Sequence, residues 1–460
     1  MSTNRGYADF LGGKAQLSNR HGFTPSWLPG FLFDFQRDLV EWAVERGRAA
    51  IFADCGLGKT PMQLVWAQNV VERTSQRVLI LTPLSVSAQT VREGEKFGID
   101  CMRSHNGALP KSQIVITNYE QLHRFNSADF GACICDESSI LKNSAGATRK
   151  LVTEFMRRMP YRLLCTATAA PNDHIELGTS SEALGEMGNA DMLSRFFVRD
   201  KAFYRQEHRG GQGWRLRHYA ERDFWRWVCS WARAVRSPSD MGYEDGPFVL
   251  PPLNTTEHVV KASHPRNGML FDLPAITLDE QREERRRTIE ERCSMAAAIA
   301  NGSDSPVVCW CYLNDEGDTL TKMIGDATQV AGRDSDEEKE EKLSAFVDGD
   351  IRVLVTKPTI AGFGLNWQHC ARQTFFPSHS FEQWYQAVRR SWRFGQKNTV
   401  QVDIITSEGE RGVLDNLKRK AADGAIMFQR LVRLMHDELV VETDRTKTPT
   451  TGVSQWLSTQ

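Results

Sequence analysis

A glycine-rich turn followed by Lys59 and Thr60 is the first stretch of this 460-residue chain whose residues could do chemistry. Gly56 and Gly58 have no Cβ, so the backbone N–H groups of the turn can close around a chain of phosphates. An apolar run precedes the turn, and apolar residues at helical spacing follow it. This order predicts a strand, a phosphate-binding loop and a helix, with Lys59 on the β- and γ-phosphates and Thr60 on Mg²⁺. The strict pattern has glycine where this chain has Ala53, and a plain glycine turn is the alternative.

The acidic pair Asp136–Glu137 is the second candidate, because it directly follows an apolar run at 132–135. A carboxylate at the end of a buried strand can hold the Mg²⁺ that bridges the phosphates. Its neighbour can then orient or deprotonate an attacking water. The alternative is a helix N-cap with an acidic first turn. The position of the pair after a phosphate loop favours the metal and water chemistry.

Gln386, Arg390 and Arg393 would share one face of a helix late in the chain. Two guanidinium groups there can neutralise charge that develops on a γ-phosphate. An ordinary basic helix that binds a carboxylate, or nothing, is the alternative. Gln36 lies upstream of the phosphate loop, where its two-sided amide could pair with an adenine edge or simply form polar surface.

Alternating strands and helices must position these residues. Such alternation predicts parallel sheets with helices on both faces and ligands at the carboxyl ends of the strands. Two groups of strands are predicted, which gives two α/β lobes, of which only the first has a phosphate loop: 78–82, 114–117, 132–135 and 161–165, then 307–312, 352–356, 373–376 and 400–405.

Five segments are predicted along the chain. They are an irregular lead-in (1–29), the ATP-binding lobe (30–180), a helical segment rich in aromatic residues and arginine that ends in a linker (181–250), the second lobe (251–440) and a flexible tail (441–460). The aromatic residues of 181–250 either form the core of a helical subdomain, which we favour, or line a nucleic-acid groove.

Bulk composition excludes several classes of protein. The net charge is −1, so any nucleic-acid surface must be a local groove. No apolar run is long enough to span a bilayer, and the N-terminus is not a signal peptide. The ten cysteines include no Cys-x-x-Cys pair, so zinc is not expected, and we expect a reducing compartment, the cytoplasm.

In order, these motifs resemble the motor motifs of superfamily 2 helicase-like ATPases over residues 30–410. Within that superfamily, Gly-Leu-Gly-Lys-Thr at 56–60 and the ending Arg-x-x-Arg-x-Gly-Gln at 390–396 are similar to Swi/Snf-type translocases. Tyr-Ala-Asp-Phe-Leu at 7–11 and Leu-Phe-Asp-Phe-Gln at 32–36 resemble phage or prophage proteins called DEAD/DEAH-box helicases, which implies the cytoplasm of a bacterial or phage-infected cell. The chain departs from the pattern at Arg389, where Asp or Gly is usual, at Thr-Ala-Thr 166–168 and at Ser138–Ser139.

The resemblance implies two RecA-like lobes with ATP and Mg²⁺ between them. It implies that Gln36, the loop residues Cys55, Gly56, Leu57, Gly58, Lys59 and Thr60, and Gly364 bind the nucleotide, that Thr60 and Asp136 hold the metal, and that Glu137, Arg390, Arg393 and Lys59 are catalytic. It places nucleic acid on the opposite rim, near Ser85, Thr117, Thr356 and Asn366. The implied activity is a DNA-stimulated ATPase that translocates on duplex DNA. A strand-separating DNA or RNA helicase and a nucleotide-gated binding module with little turnover are the alternatives, while no membrane contact is expected and protein partners stay open.

Overall fold

The computed structural model describes residues 21–142, 146–169, 174–199, 213–263, 275, 277–362 and 365–447. Its first half begins with a helix and then alternates strands and helices, as the apolar pattern predicts. The helices are α1 (Asp34–Arg46), α2 (Lys59–Thr74), α3 (Ser87–Phe97), α4 (Ala147–Met156), α5 (Leu177–Leu184), α6 (Asn189–Phe196) and α7 (Glu221–Trp231). The strands are β1 (Arg48–Ala53), β2 (Arg77–Thr82), β3 (Cys101–Arg103), β4 (Ile114–Asn118), β5 (Phe130–Asp136), β6 (Tyr161–Cys165), β7 (Phe197–Arg199), β8 (Trp214–Leu216) and β9 (Ala232–Val235).

Seven of these strands form the sheet of lobe 1, in the order β3-β4-β2-β5-β6-β1-β9, with parallel neighbours throughout. Alternate residues of each strand face opposite sides of the sheet. In β2, Leu79 and Leu81 pack with α4 to α7, whereas Val78 and Ile80 pack with α1 and α2. Both faces are therefore covered by helices, as in parallel sheets generally.

The second half repeats this architecture as lobe 2. Its helices are α8 (Leu278–Arg287), α9 (Ile289–Asn301), α10 (Asn314–Met323), α11 (Asp336–Asp348), α12 (Pro358–Ala361), α13 (Phe381–Val388) and α14 (Arg411–Lys447). Its strands are β10 (Leu253–Val260), β11 (Val307–Trp310), β12 (Ala327–Val330), β13 (Val353–Thr356), β14 (Arg372–Phe375) and β15 (Val400–Ser407). They form a parallel sheet in the order β10-β15-β14-β11-β13-β12, again with an apolar cluster on each face. The two lobes confirm the predicted fold class.

One strand of lobe 1 comes from a segment that the sequence analysis assigned to neither lobe. β9 falls within the segment predicted as helical and linker, 181–250, yet it pairs with β1 and forms the edge of the lobe 1 sheet. Its four residues follow the aromatic helix α7 without a break, so the pattern offers no separate strand signal. Lobe 1 therefore extends to Val235, and the linker to lobe 2 is shorter than predicted.

The aromatic residues of this segment form a core. Phe224 and Trp231 are fully buried, and the Phe196 ring lies 5.5 Å from those of Phe224 and Trp227. They belong to the same apolar cluster as Phe52 and Leu79 of the lobe 1 sheet, so the aromatic core of this segment is continuous with the core of lobe 1. The remaining predicted aromatics, Phe203 and Tyr204, lie outside the described residues, as do the N-terminal lead-in up to residue 20 and the last thirteen positions.

The last helix returns from lobe 2 to lobe 1. Leu431 of α14 is 4% exposed and belongs to the apolar core of lobe 1. The Arg236 side chain donates from Nη2 to the Ala425 carbonyl oxygen over 2.8 Å and lies above the Phe428 ring. The helix ends at Lys447, beyond residue 441 where the sequence predicts the start of a flexible tail. The chain thus connects the lobes twice, once through the linker and once through α14.

Candidate nucleotide site

The phosphate loop joins β1 to α2 and depends on two left-handed glycines. Gly56 has φ 91° and Gly58 has φ 76°. A Cβ on Gly58 would lie 2.3 Å from Nε2 of Gln36, and one on Gly56 would lie 2.8 Å from the backbone nitrogen of Phe394 in lobe 2. The loop is therefore contacted from both sides, and only glycine fits at these positions.

Lys59 opens α2 beside this loop, and Thr60 follows it. The Lys59 ammonium donates a hydrogen bond from Nζ to the Ala53 carbonyl oxygen over 3.1 Å. Both side chains line a cavity of about 600 Å³ between the lobes. A cation and a hydroxyl at the start of a helix give this end of the cavity the character of a phosphate site.

The acidic pair ends β5 and lines the same cavity. Asp136 accepts at Oδ1 from Nε2 of Gln63 over 2.7 Å, and its carbonyl oxygen accepts the Tyr119 hydroxyl over 2.6 Å. Glu137 has φ 53°, a left-handed conformation that a non-glycine residue adopts at a cost of about 1–3 kcal/mol. Oε2 of its carboxylate accepts from Thr166 over 3.2 Å, which leaves Oε1 free of that bond. The strained turn aims the Glu137 carboxylate at the cavity that Asp136 also lines.

The charge of this pair is poorly compensated. Burial raises the pKa of Asp136 to about 6, with a further upward contribution from Glu137, while Lys59 and Gln63 act in the opposite direction. A divalent cation at the pair would favour the charged carboxylates and so oppose this shift. The neighbouring donors, a carboxylate of Asp136 and a hydroxyl of Thr60, are hard oxygen ligands of the kind that Mg²⁺ prefers. The residues present therefore fit the magnesium ion that the sequence implies.

Lobe 2 contributes two arginines to the cavity. Arg390 donates from Nε and Nη2 to the carbonyl oxygen and Oε1 of Gln386, over 2.8 and 2.9 Å. Arg390 and Arg393 both donate from Nη1 to the Leu365 carbonyl oxygen, over 3.1 and 3.0 Å. The structure thus brings Arg390 and Arg393 into one cavity with Lys59 and Glu137. The predicted common helix face is wrong, because α13 ends at Val388 and both arginines lie in the turns that follow it.

Neither arginine has a carboxylate partner in the described part of the chain. Burial lowers the pKa of Arg390, and burial together with the charge of Arg390 lowers the pKa of Arg393 to about 10. Nε of Arg393 and Nε2 of Gln386 are buried, and neither finds a protein acceptor there. An anion in the cavity would supply the missing charge and the missing acceptors, so this end is suited to a phosphate group.

Gln36 lines the same cavity, beside the phosphate loop. Its Nε2 donates to the Leu57 carbonyl oxygen over 2.8 Å, and its Oε1 accepts from the Phe33 backbone nitrogen over 3.1 Å. The Phe248 ring lies 4.9 Å from that of Phe33 and 4.8 Å from that of Phe394. These three rings, from the start of α1, the linker and lobe 2, provide an apolar surface beside the Gln36 amide. The sequence analysis missed them because they are far apart along the chain.

Cys55 departs from one chemical expectation of a phosphate loop. A helix N-terminus and a lysine normally favour a thiolate. Here burial is the largest influence and raises the pKa of Cys55, although Lys59 opposes it. The thiol donates from Sγ to Oε1 of Gln386 over 3.8 Å. The loop therefore holds a neutral, buried thiol, and only the backbone of Cys55 is available to phosphate.

The residues predicted to contact nucleic acid are not gathered at one surface. Thr117 is 2% exposed and Thr356 is 1% exposed, with the Thr356 hydroxyl bonded to the Val330 carbonyl oxygen. Asn366 lines the nucleotide cavity instead, where its Oδ1 has no partner among the described residues. Both threonines lie at the carboxyl ends of buried strands. A position at the end of a strand therefore does not by itself expose a side chain to a ligand. The Ser85 side chain and Gly364 lie outside the described residues.

A second interlobe cavity of about 510 Å³ lies on the other side of Glu137. Pro83 and Ile140 of lobe 1 face Leu343 and Ile360 of lobe 2 across it. Glu137 lines both cavities and therefore stands in the wall between them.

Neither a metal cluster nor a membrane span is found in the described ranges. They contain no group of three or more His, Cys, Asp and Glu side chains placed to hold a metal ion. None of their helices combines the length and the apolar character that crossing a bilayer requires.

Comparisons with known proteins give little. No protein-family model matches the chain, and no curated protein matches it. Among solved structures, the chain is similar to the Sulfolobus solfataricus SWI2/SNF2 ATPase core in complex with dsDNA, at 17% sequence identity and a TM-score of 0.41. The similarity covers 92% of this chain and 97% of that chain. At this identity and TM-score the likeness carries no argument about function.

Proposed function

We propose that the protein is an ATP-dependent nucleic-acid motor whose ATPase is stimulated by DNA and which translocates on duplex DNA. The observation that carries the proposal is the single cavity that contains Lys59, Asp136 and Glu137 of one lobe and Arg390 and Arg393 of the other. A site divided between two lobes can couple a change at the phosphates to a change in lobe position. That coupling is what a motor requires.

Each side chain then has a role in hydrolysis. The Lys59 ammonium leaves the Ala53 carbonyl oxygen and contacts the β- and γ-phosphates. The Glu137 carboxylate, held at Oε2 by Thr166, accepts a proton from the attacking water. The Arg390 and Arg393 guanidinium groups donate to the oxygens of the γ-phosphate as charge develops there.

The magnesium ion and the adenine would be held by different residues of this one site. Asp136 and Thr60 would hold Mg²⁺, which neutralises phosphate charge when it is bound. The Gln36 amide and the rings of Phe248 and Phe394 would receive the adenine, with the base against their apolar surface. The cavity of about 600 Å³ falls in the range of volumes usual for ligand sites.

Duplex DNA would contact both lobes through phosphate groups. Such contacts are tolerant of sequence and weaken as salt rises. The chain offers no separate strand-splitting domain among its described residues, and separating strands requires about 1.4 kcal/mol of stacking free energy per base-pair step. Tracking along a duplex requires only that two lobes grip in turn, so translocation is the simpler use of this architecture.

The test is phosphate release with no nucleic acid, single-stranded DNA, duplex DNA and RNA, at one salt concentration. Duplex DNA should stimulate at least as well as single strands. Glu137→Gln should lower turnover by roughly 10²–10⁴-fold, the usual contribution of a general base. Glu154→Gln, an exposed carboxylate on α4, is the matched control and should leave turnover unchanged.

A triplex and a forked duplex, assayed with the same preparation, separate translocation from unwinding. Triplex displacement should be detected more easily than strand separation. Efficient fork unwinding with ATPase driven only by single strands or RNA would replace the translocase by a helicase. Nucleic-acid binding that responds to ATP without phosphate release would instead identify a nucleotide-gated binding module.

A further inference from the structure

The Asp54 carboxylate, at the first position after β1, is held by both lobes. Its Oδ1 accepts the backbone N–H of Cys55 over 2.6 Å, which fixes it within the phosphate loop. The same oxygen accepts the Tyr385 hydroxyl, and Oδ2 accepts Nη2 of Arg389 in an ion pair. Tyr385 lies in α13 and Arg389 one turn later, so a single turn of lobe 2 holds the loop carboxylate.

This pair is buried and well supported. Asp54 and Arg389 are both buried, and the Arg389 guanidinium stacks over the Trp392 ring, 4.6 Å from its centroid. Burial alone lowers the pKa of Arg389, but the nearby Asp54 and Tyr385 outweigh it and raise the pKa above its ordinary value. Removing one member of a buried ion pair leaves the other charge uncompensated, which is costly, so the two side chains depend on each other.

The other contacts of α13 with lobe 1 lie on the same side of the helix. At its start, Glu382 forms an ion pair with Lys142 and accepts from the Thr168 hydroxyl over 3.4 Å. In its middle, Gln386 accepts from the Cys55 thiol. Residues three or four apart share one helix face, so the face that meets Asp54 is continuous with these contacts.

Arg390 follows Arg389 directly and Arg393 lies three residues further on, so the contacts of Arg389 place the backbone of both. We propose that Arg389 and Tyr385 are positioning residues: by binding Asp54 they seat α13 against the phosphate loop and hold Arg390 and Arg393 in the cavity before nucleotide arrives. This inference rests on the proposed ATPase for its kinetic consequence, but its structural consequence can be measured without nucleotide. Arg389 is also a position at which this chain departs from the motif that it resembles.

Three variants test the pair. Tyr385→Phe removes one hydroxyl, Arg389→Met removes the charge at similar volume, and Asp54→Asn removes the shared partner. Loss of seating should lower kcat roughly tenfold or more, because the competent lobe arrangement becomes a minor population, while KM for ATP changes less than about threefold. Arg333→Met, which breaks a pair with Asp318 inside lobe 2, is the matched control and should leave kcat unchanged.

Lobe position is measured by energy transfer between dyes on introduced cysteines. Lys111→Cys in lobe 1 and Lys322→Cys in lobe 2 replace exposed side chains, and the ten native cysteines are buried. Without nucleotide, Arg389→Met and Tyr385→Phe should broaden or shift the transfer efficiency, whereas the control should not. A change of lobe position in a chain without ATPase would support the seating and refute only the proposed function.

The double variant Asp54→Asn/Arg389→Met separates positioning from a general structural role. If the two side chains act on each other, the double variant should lose no more kcat than the worse single variant. Additive losses, or an unchanged transfer efficiency in Arg389→Met and Tyr385→Phe, would overturn the inference. A lower melting temperature with normal kcat in all three single variants would also overturn it, because the pair would then stabilise the fold alone.

Discussion

Replacing Arg390 by methionine should separate turnover from stability. The side chain is 2% exposed and lies beside Gln386 and Leu365, to which its three hydrogen bonds run. No described carboxylate pairs with it. Methionine is apolar and of comparable length, so the substitution removes the charge and its hydrogen bonds while leaving only a small cavity.

The effect on stability should be small because two contributions oppose each other. Hydrogen bonds from a charged donor each contribute about 1.5–3 kcal/mol. Burying the guanidinium costs several kcal/mol, and this cost disappears with the charge. The carboxylates of Asp136 and Glu137 favour the charged form of Arg390, so part of their compensation is lost as well. We expect the free energy of unfolding to change by less than about 2 kcal/mol.

The effect on turnover should be large. A catalytic arginine contributes roughly 10³–10⁵-fold to phosphoryl transfer. At about 1.36 kcal/mol per tenfold, this corresponds to roughly 4–7 kcal/mol of transition-state stabilisation. Nucleotide affinity should change little, because the arginine acts on charge that develops only in the transition state.

The assay combines urea unfolding, nucleotide binding at equilibrium and phosphate release on one preparation of Arg390→Met. Arg333→Met, an exposed arginine of the same lobe, controls for the substitution itself. Near-normal phosphate release would remove Arg390 from the site. A loss of more than about 3 kcal/mol in the free energy of unfolding, with turnover reduced only in proportion to the fraction of folded protein, would show that the arginine stabilises the fold.

Three further predictions concern the phosphate loop and the acidic pair. Lys59→Ala should abolish hydrolysis and weaken nucleotide binding, whereas Glu137→Gln should keep the nucleotide; equal binding by the two variants would contradict these roles. Gly58→Ala should destabilise the chain by at least about 1–2 kcal/mol in urea unfolding, since its φ is 76° and its Cβ would lie 2.3 Å from a buried amide nitrogen. Because burial raises the pKa of Asp136 to about 6, this carboxylate gains a proton and Mg²⁺-dependent nucleotide binding should weaken as pH falls through that value; a flat titration would refute the metal assignment.

Local motifs carried most of the candidate site. Asp136 and Glu137 lie at the carboxyl end of β5, and Lys59 follows the loop at the carboxyl end of β1. The carboxyl-end rule therefore brings them together without knowledge of the structure. Arg390 and Arg393 were predicted from helix spacing, and they line the same cavity although α13 ends at Val388, before either of them. Short-range spacing was enough to group them because the turns after the helix keep the two arginines on the Leu365 carbonyl oxygen.

Features that depend on distant partners could not be predicted. Asp54 and Arg389 are 335 positions apart, and neither position signals its partner. The left-handed backbone of Glu137 is equally hidden, because nothing in its residue type requires it. Sequence spacing also gave no exposure for Thr117, whose burial is set by the helices on both faces of the sheet.

Three of the strands that the sequence did not predict, β3, β9 and β12, share a physical reason. β3, β9 and β12 contain three or four residues each, too few for a period of two to stand out. All three are edge strands, which pair with one neighbour only, and their sequences have no strong apolar pattern. The central strands, by contrast, are buried on both faces and appear in the sequence as continuous apolar runs.

The return of α14 to lobe 1 changes the kinematics of the molecule. Two lobes joined by one flexible linker can rotate relative to each other about any axis through that linker. Here the linker and the α14 contact at Leu431 are two separate attachments. While both hold, the lobes can rotate only about the axis that passes through the two attachments. If the lobes close on a ligand, both attachments would guide the movement about one axis and return Arg390 and Arg393 to the same place.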